Sequence, residues 1–235
     1  MKTVEEIELI EERFKQRYKL KKAVNMIISE IITVLGVVSF NFIWNYDNDG
    51  LLTFRWMTVD GTVYTTLISF VFVIVDMFEI IRYTELTKEN VYFMRLSAAV
   101  AEGLIFCVVL LSQLPISPEH MHIFRFDMFN MHIVIPILMI GSFIFNDSPL
   151  GKLSFIDRLR GCWFVTIYAL IILILILTGI IPSEQIPYFF LDVYNMPYLT
   201  ALGCFGFIYA LSLLLSLCLS ELNRKLSWVW FKGIN

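Results

Sequence analysis

Long apolar stretches separated by short polar connections make up most of the chain. A helix that crosses a bilayer needs about 20 predominantly apolar residues, and six stretches meet that requirement. They lie near residues 24–44, 57–81, 92–113, 126–146, 159–181 and 198–220. This pattern predicts an all-α fold, a polytopic membrane bundle of six transmembrane helices.

The residues before the first span form a different kind of segment. Residues 1–22 are polar and charged, and the spacing of their few apolar side chains predicts an amphipathic cytoplasmic helix. Such a helix lies on lipid headgroups or binds a partner, and we favour the headgroups. The transmembrane domain then covers residues 23–221, and residues 222–235 form a cytoplasmic tail.

Composition agrees with the span pattern. Of the 235 residues, 58% are hydrophobic and 17% are charged, whereas soluble domains average about 45–50% apolar and about 25% charged. This balance excludes an ordinary soluble enzyme and a disordered protein. The 18 basic residues against 21 acidic ones leave no basic excess for phosphates, so we expect no nucleic-acid partner.

The basic residues also indicate how the chain is oriented. Sixteen of the 18 fall in the N-terminal segment, the second and fourth connections and the tail, and only Arg55 and Arg125 fall on the other side. Because cytoplasmic loops carry the excess of Lys and Arg, we expect both termini in the cytoplasm. The chain is thus expected to be a multi-pass membrane protein, in the cell membrane if its source is bacterial.

Ionisable side chains inside spans are costly, so each one suggests a function by default. The candidates are Glu30, Asp60, Asp76, Glu79, Glu102 and His132. Asp76 and Glu79 lie near a span end, where water or Arg82 would solvate them. Glu102 falls in the middle of its span without an adjacent cation, and Glu30 is similar but nearer the cytoplasmic end.

The second span carries a stripe of small hydroxyl residues. At 100° per residue, one helical face collects, within about 40°, Thr58, Thr62, Thr65, Ser69 and Asp76. Such a stripe is either a close helix–helix contact or the wall of a polar cavity, and we favour the contact. Its outermost member, Thr58, shares a depth near the outer leaflet with His132 of the fourth span.

Neither a metal nor a cofactor is expected. The four cysteines, including Cys107, all fall within predicted spans and are expected to pack as small apolar side chains. One spacing resembles a metal site, His120 and His122 beside Glu119 in the third connection. Two histidines in a loop are a weak signal.

Three runs of sequence resemble a known family. They are FRWMTVDGTVYTTL (54–67), NMHIVIPILM (130–139) and IPYFFLDVYNMP (186–197), in that order. They resemble the androgen-induced and androgen-dependent family of multi-pass membrane hydrolases and its wider bacterial relatives. Members studied as enzymes cleave fatty acid esters of hydroxy fatty acids with an intramembrane threonine and histidine, and their six spans with cytoplasmic termini match the present prediction.

Carried over residue by residue, the resemblance implies catalytic roles for two positions. The family threonine falls on Thr58 and the family histidine on His132. The third run would cap the same side through Pro187, Tyr188, Leu191 and Asp192. The chain departs from familiar members at Asp60 and Gly61, where bulkier residues are expected, which leaves substrate preference open.

The implied chemistry is reasonable for these residue types. A threonine hydroxyl needs a base during attack, and a neutral imidazole is the usual one. His132 would deprotonate Thr58, which would attack an ester carbonyl and form an acyl-enzyme. No third member is evident in the sequence, although Asn130, Asp127 or a group from another span could orient the histidine. A less favoured alternative places the nucleophile at Cys107, in the outer half of the third span.

A second class of function stays open beside the hydrolase. Glu102 and Glu30 suit a small proton-coupled carrier or another non-enzymatic multi-pass protein, because buried carboxylates can move protons. The expected partners are the lipid bilayer and, for the hydrolase, a lipid or fatty acyl ester. The oligomeric state stays open.

Overall fold

The computed structural model describes residues 4–47, 49–83, 86, 89–116, 123–188 and 191–232. Within these ranges every regular element is a helix. The main helices are α1 (Val4–Asp47), α2 (Met57–Arg82), α3 (Glu89–Val108), α4 (Phe126–Phe129), α5 (Ile135–Asn146), α6 (Phe155–Gly161), α7 (Trp163–Leu177) and α8 (Tyr198–Leu226). Two π-helical segments, Val109–Gln113 and Asn130–Val134, continue α3 and join α4 to α5.

Five of the helical stretches are long and apolar enough to cross a membrane, and the bent pair of α6 and α7 could supply a sixth. The all-α fold predicted from the sequence is therefore confirmed, and the helices have the length and apolar composition of a helical membrane bundle. The fifth predicted span differs from the expectation of an uninterrupted helix. It bends by 56° at Cys162, directly after Gly161, whose missing side chain leaves room for Ser216 and Leu96.

Helix α1 runs without a break through the predicted boundary at residue 22. Its 44 residues contain no glycine or proline before Gly36, so nothing interrupts the backbone hydrogen bonds. At the other end of the chain, helical structure likewise continues beyond residue 222, and Phe231 stacks on Phe14 at 4.5 Å between ring centroids. The N-terminal segment and the tail thus pack on each other.

Helix α3 occupies the centre of the bundle, where it contacts α2, α5, α6, α7 and α8. Its middle is made of small side chains, and the fully buried ones include Ser97, Ala98, Ala99 and Ala101. Small residues let helix backbones approach closely, which is how helices associate in lipid without a hydrophobic driving force. The outer surface of the bundle carries large apolar side chains instead, such as the exposed Val37, Leu67 and Phe207.

Helices α1 and α2 pack as an antiparallel pair over most of their length. Gly36 lies against the side chain of Thr66, and a Cβ atom at position 36 would collide with that hydroxyl. Further along, Ile43 and Val59 pack in one apolar cluster. These two contacts show how α1 and α2 are aligned.

A buried ionic cluster holds one end of the bundle, here called the Lys22 end. The ammonium group of Lys22 lies 2.6 Å from a carboxylate oxygen of Glu79 and 3.4 Å from one of Asp76. All three side chains are at most 1% exposed. This pairing corrects the expectation that Asp76 and Glu79 are solvated by water or Arg82, because α1 covers them with a cation.

Arg95 of α3 extends the same cluster to α5 and the residue that follows it. Its guanidinium donates to Asp147 at 3.2 Å, to the Ser142 hydroxyl at 2.7 Å and to the Asn25 side-chain oxygen at 3.3 Å. Asn25 in turn donates to Asp76 at 2.7 Å. Burial raises the pKa of Asp147, and the nearby charge of Arg95 opposes that rise. The cluster therefore ties together α1, α2, α3 and α5.

We expect Gly36→Ala to destabilise the protein. The added methyl group would press on Thr66, and overpacking costs about 1–3 kcal/mol. The measurement is the thermal unfolding midpoint of the purified protein in detergent. The matched control is Gly141→Ala in α5, where no heavy atom within 4 Å meets the new Cβ and alanine favours the helix. Equal midpoints for the two variants would contradict the close α1–α2 contact.

Arg95→Met should be far more damaging, because it leaves Asp147 buried without its cation. Breaking a buried ion pair costs about 3–5 kcal/mol. The control is Arg224→Met on α8, which removes a partly exposed pair with Glu221 and should cost about 0–1 kcal/mol. Denaturant unfolding in detergent compares the two, and a loss for Arg95→Met no larger than the control would argue against the cluster.

Candidate functional site

Thr58 sits in the first turn of α2, at the opposite end of the bundle from Lys22. The chain before it forms a 3₁₀ turn (Gly50–Arg55), and Trp56 adopts extended backbone angles that start the helix. The N–H groups of Val59 and Asp60 both bond back to the Trp56 carbonyl. Met57 and Thr58 are the first two residues of α2. Their backbone N–H groups have no acceptor within the helix.

His132 lies in the π-helical segment Asn130–Val134. Proline has no N–H to donate to the preceding turn, and Pro136 follows two residues after this segment ends. The same spacing recurs at Pro115, two residues after the other π segment. A π segment re-aims the side chains it carries and is frequent at functional sites. Here it presents a buried imidazole, 5% exposed, toward α2.

The two side chains meet. Thr58 Oγ1 lies 3.2 Å from His132 Nε2, and His132 Nδ1 lies 2.8 Å from the Met128 carbonyl oxygen. A carbonyl can only accept, so in the neutral ring Nδ1 carries the proton and Nε2 carries the lone pair. The Thr58 hydroxyl then donates to Nε2. This is the geometry and the tautomer that a hydroxyl nucleophile and its base require.

Tyr188 completes the polar part of the site. It belongs to the connection between α7 and α8, and its hydroxyl interacts with the Thr58 hydroxyl and with the backbone N–H groups of Met57 and Thr58. Burial raises the pKa of Tyr188 to about 12, so the phenol keeps its proton at neutral pH. The ring also contacts Trp56 edge-on at 5.6 Å.

A cavity of about 50 Å³ opens beside Thr58. This volume holds a few water molecules, since one needs about 10–15 Å³. The wall is almost entirely apolar and comes from α3, α7, α8 and the α7–α8 connection. It includes Leu104, Ile105, Val108, Val165, Ala169, Leu191, Phe205 and Ile208. The Thr58 hydroxyl therefore lies at the edge of an otherwise apolar cavity.

Other side chains of the predicted site are placed differently. Cys107 is partly exposed and does not line the cavity. Asp127 is held by Arg125 through two hydrogen bonds of 2.6 and 2.7 Å and acts on His132 only through its charge. Asn130 is buried without bonding to the imidazole within the described part of the chain. Asp192 is held by Asn195 instead.

The orienting group that sequence reasoning missed is the Met128 carbonyl. A backbone carbonyl has no residue-type signature, so only its spacing four residues before His132 could have suggested it. The role of Tyr188 beside Thr58 was anticipated more broadly, since its run was expected to cap this side. The contact itself depends on how the α7–α8 connection folds back.

The two carboxylates of the carrier hypothesis are not brought together. Glu102 is fully buried on α3, whereas Glu30 is exposed on α1. Glu119, His120 and His122, the metal-like spacing of the third connection, lie outside the described residues. Among the residues that the structure does describe, no group of three or more His, Cys, Asp or Glu side chains could hold a metal ion.

Comparisons with protein-family models, with curated proteins and with solved structures find no match for this chain. The assignment of the site therefore depends on its own geometry: a threonine–histidine pair with a defined tautomer, a tyrosine hydroxyl that meets the N–H groups at the start of α2, and an apolar cavity.

Proposed function

We propose that the chain is an integral-membrane lipid ester hydrolase of the type that cleaves fatty acid esters of hydroxy fatty acids. The observation that carries this proposal is the 3.2 Å contact between Thr58 Oγ1 and His132 Nε2, with Met128 holding the imidazole in the basic tautomer. A positioned base within 2.6–3.2 Å is what activates a weak hydroxyl nucleophile.

In the proposed reaction Thr58 Oγ attacks the ester carbonyl while its proton moves to His132 Nε2. The tetrahedral intermediate collapses, the C–O bond to the alcohol breaks, and His132 returns the proton to the leaving alkoxide. Water, deprotonated by the same nitrogen, then attacks the acyl-Thr58 ester. The acid leaves, and the proton returns to the Thr58 oxygen.

The negative charge of the tetrahedral intermediate needs hydrogen-bond donors, and three donor groups lie beside Thr58. The N–H groups of Met57 and Thr58 point at the Tyr188 hydroxyl, which occupies the position proposed for the carbonyl oxygen. N–H groups at a helix start favour an anion, and donors already in place stabilise an oxyanion strongly. Tyr188 itself keeps its proton and can donate once it is displaced toward the substrate.

The apolar wall suits an acyl chain. Helices α7 and α8, which line one side of the cavity, carry exposed apolar side chains such as Ile171 and Phe207 on their outer faces. Lipid would therefore surround the two helices, and a fatty acyl chain could pass between them from the bilayer. The cavity favours an aliphatic substrate over a polar one.

For the membrane arrangement we propose six spans with both termini in the cytoplasm. The bent pair of α6 and α7 counts as one span, and the excess of basic residues lies on the terminal side. The site would then lie near the outer leaflet, in the cell membrane if the source is bacterial.

Labelling by a fluorophosphonate probe tests the nucleophile. Wild type and Thr58→Ser should label, whereas Thr58→Ala and His132→Ala should lose labelling by about a thousandfold, the scale expected when a catalytic hydroxyl or its base is removed. Thr200→Ala, an exposed threonine on α8, is the matched control. Each variant is first checked for insertion and a monodisperse detergent peak.

The variant Cys107→Ala tests whether Cys107, and not Thr58, is the nucleophile. Retained labelling in this variant supports Thr58, whereas labelling lost here but kept in Thr58→Ala would move the nucleophile to Cys107. Full labelling of both Thr58→Ala and His132→Ala would overturn the proposed function.

Tyr188→Phe should lower kcat for a fatty acid ester by about 10- to 1,000-fold with little change in KM, because the lost hydroxyl acts on the transition state. The assay is release of the free acid in mixed micelles. Tyr194→Phe is the control, since this neighbour in the same connection bonds to the Ile176 carbonyl. An unchanged kcat for Tyr188→Phe would remove the tyrosine from the mechanism and leave the pair of Thr58 and His132 intact.

A further inference from the structure

The carboxyl group of Glu102 is an unusual feature of the bundle interior. Its side chain is fully buried at the α2–α3 contact, and neither oxygen has a hydrogen-bond partner within the described residues. The Thr65 hydroxyl approaches it without completing a well-formed hydrogen bond. An unpaired polar group in an apolar interior costs several kcal/mol, and a charge costs more.

Several hydroxyl groups near this level share the same condition. Buried and likewise without a hydrogen-bond partner in the described chain are Ser39, Thr62, Thr65 and Ser69. They come from α1 and α2, and Glu102 comes from α3. Orphan oxygens from three helices are therefore concentrated in the middle of the bundle.

Helix geometry explains why these groups share one space. On α2, Gly61 faces Ile105 of α3, and Thr66 faces Gly36 of α1. At 100° per residue these two directions are about 140° apart, and Thr62 and Ser69 lie between them. The hydroxyl stripe therefore points into the junction of α1, α2 and α3.

Ser39 of α1 is fully buried near the same level. It lies between Gly36, which is level with Thr66, and Ile43, which packs in one cluster with Val59. Because α1 and α2 run antiparallel, this interval places Ser39 near the level of Thr62.

Charge balance singles out Glu102 among the buried carboxylates. At the Lys22 end three buried cations, Lys21, Lys22 and Arg95, face three buried carboxylates, Asp76, Glu79 and Asp147. That cluster is neutral by itself. Asp127 has Arg125. Glu102 is the buried carboxylate to which the described residues supply no cation.

We propose that Glu102 and the hydroxyls of Thr62, Thr65 and Ser39 form a binding site for a small monovalent cation of the sodium class, and that Ser69, about 10 Å along α2 from Thr62, lies outside it. Every polar side chain offered is an oxygen, the donor type that hard cations prefer. A single carboxylate balances one positive charge, and a divalent ion would remain half compensated. A proton on Glu102 would neutralise the carboxyl, but one neutral carboxyl group cannot bond to all of the buried hydroxyls.

Sodium binding to the purified full-length protein tests the site. Radioactive ²²Na⁺ should bind saturably in choline buffer at mildly alkaline pH. Glu102→Gln should abolish binding, and Thr65→Val, which keeps the side-chain shape, should weaken it by about tenfold or more. Glu30→Gln, which neutralises an exposed glutamate of α1, should bind as wild type does. Lower pH should weaken wild-type binding, because protons compete for the carboxylate.

Two results of the binding measurement would overturn the proposal. One is the absence of saturable wild-type binding up to about 150 mM Na⁺, and the other is undiminished binding in Glu102→Gln. A ligand that binds only the folded state also stabilises it, so Na⁺ but not choline should raise the thermal midpoint of wild type. The rise should be smaller in Thr65→Val, which covers the case that Glu102→Gln does not fold. An equal rise in all variants would count against a specific site.

Discussion

The pairing of charges around Arg95 and Lys22 is the constraint on which the rest of the bundle depends. An unpaired charge inside an apolar bundle is costly, so α1, α2, α3 and the end of α5 must align until each cation meets its carboxylates. Apolar contacts alone would permit many nearly equivalent alignments. The hydrogen bonds of Arg95 to Asp147 and Ser142, and the contact of Lys22 with Glu79, select one.

That alignment reaches the opposite end of the bundle through α2. From Asp76 to Thr58 is eighteen residues, which at 3.6 per turn is five full turns and about 27 Å. The two side chains therefore leave α2 in nearly the same direction. Once Asp76 is held toward Lys22 and Asn25, Thr58 must face the same junction, and α5, anchored through Ser142, is continuous with the π segment that delivers His132. The ionic cluster and the threonine–histidine pair are thus two ends of one arrangement.

Parts of both sites were predictable from residue type and period. The stripe on α2 follows from helical spacing, and the shared depth of Thr58 and His132 follows from counting along two spans. The close contact with α1 is made by Thr66, which lies against Gly36 beside the stripe. Thr62, Thr65 and Ser69 of the stripe itself are buried without hydrogen-bond partners within the described residues. Helical periodicity alone cannot distinguish a packing contact from a polar cavity wall, because a small hydroxyl side chain suits both equally well.

The sequence by itself determined that the chain suits a lipid environment, that its fold is all-α, and which polar side chains the bundle interior has to accommodate. Only the tertiary structure decided their partners: that Lys22 covers Asp76 and Glu79, that Glu102 meets no cation among the described residues, and that Met128 orients His132. The physical reason is that the lipid around the bundle is as apolar as the interior of the bundle. The many Leu, Ile and Phe side chains therefore do not mark which face of a helix is buried, and the few polar groups find partners on other helices far away in the chain.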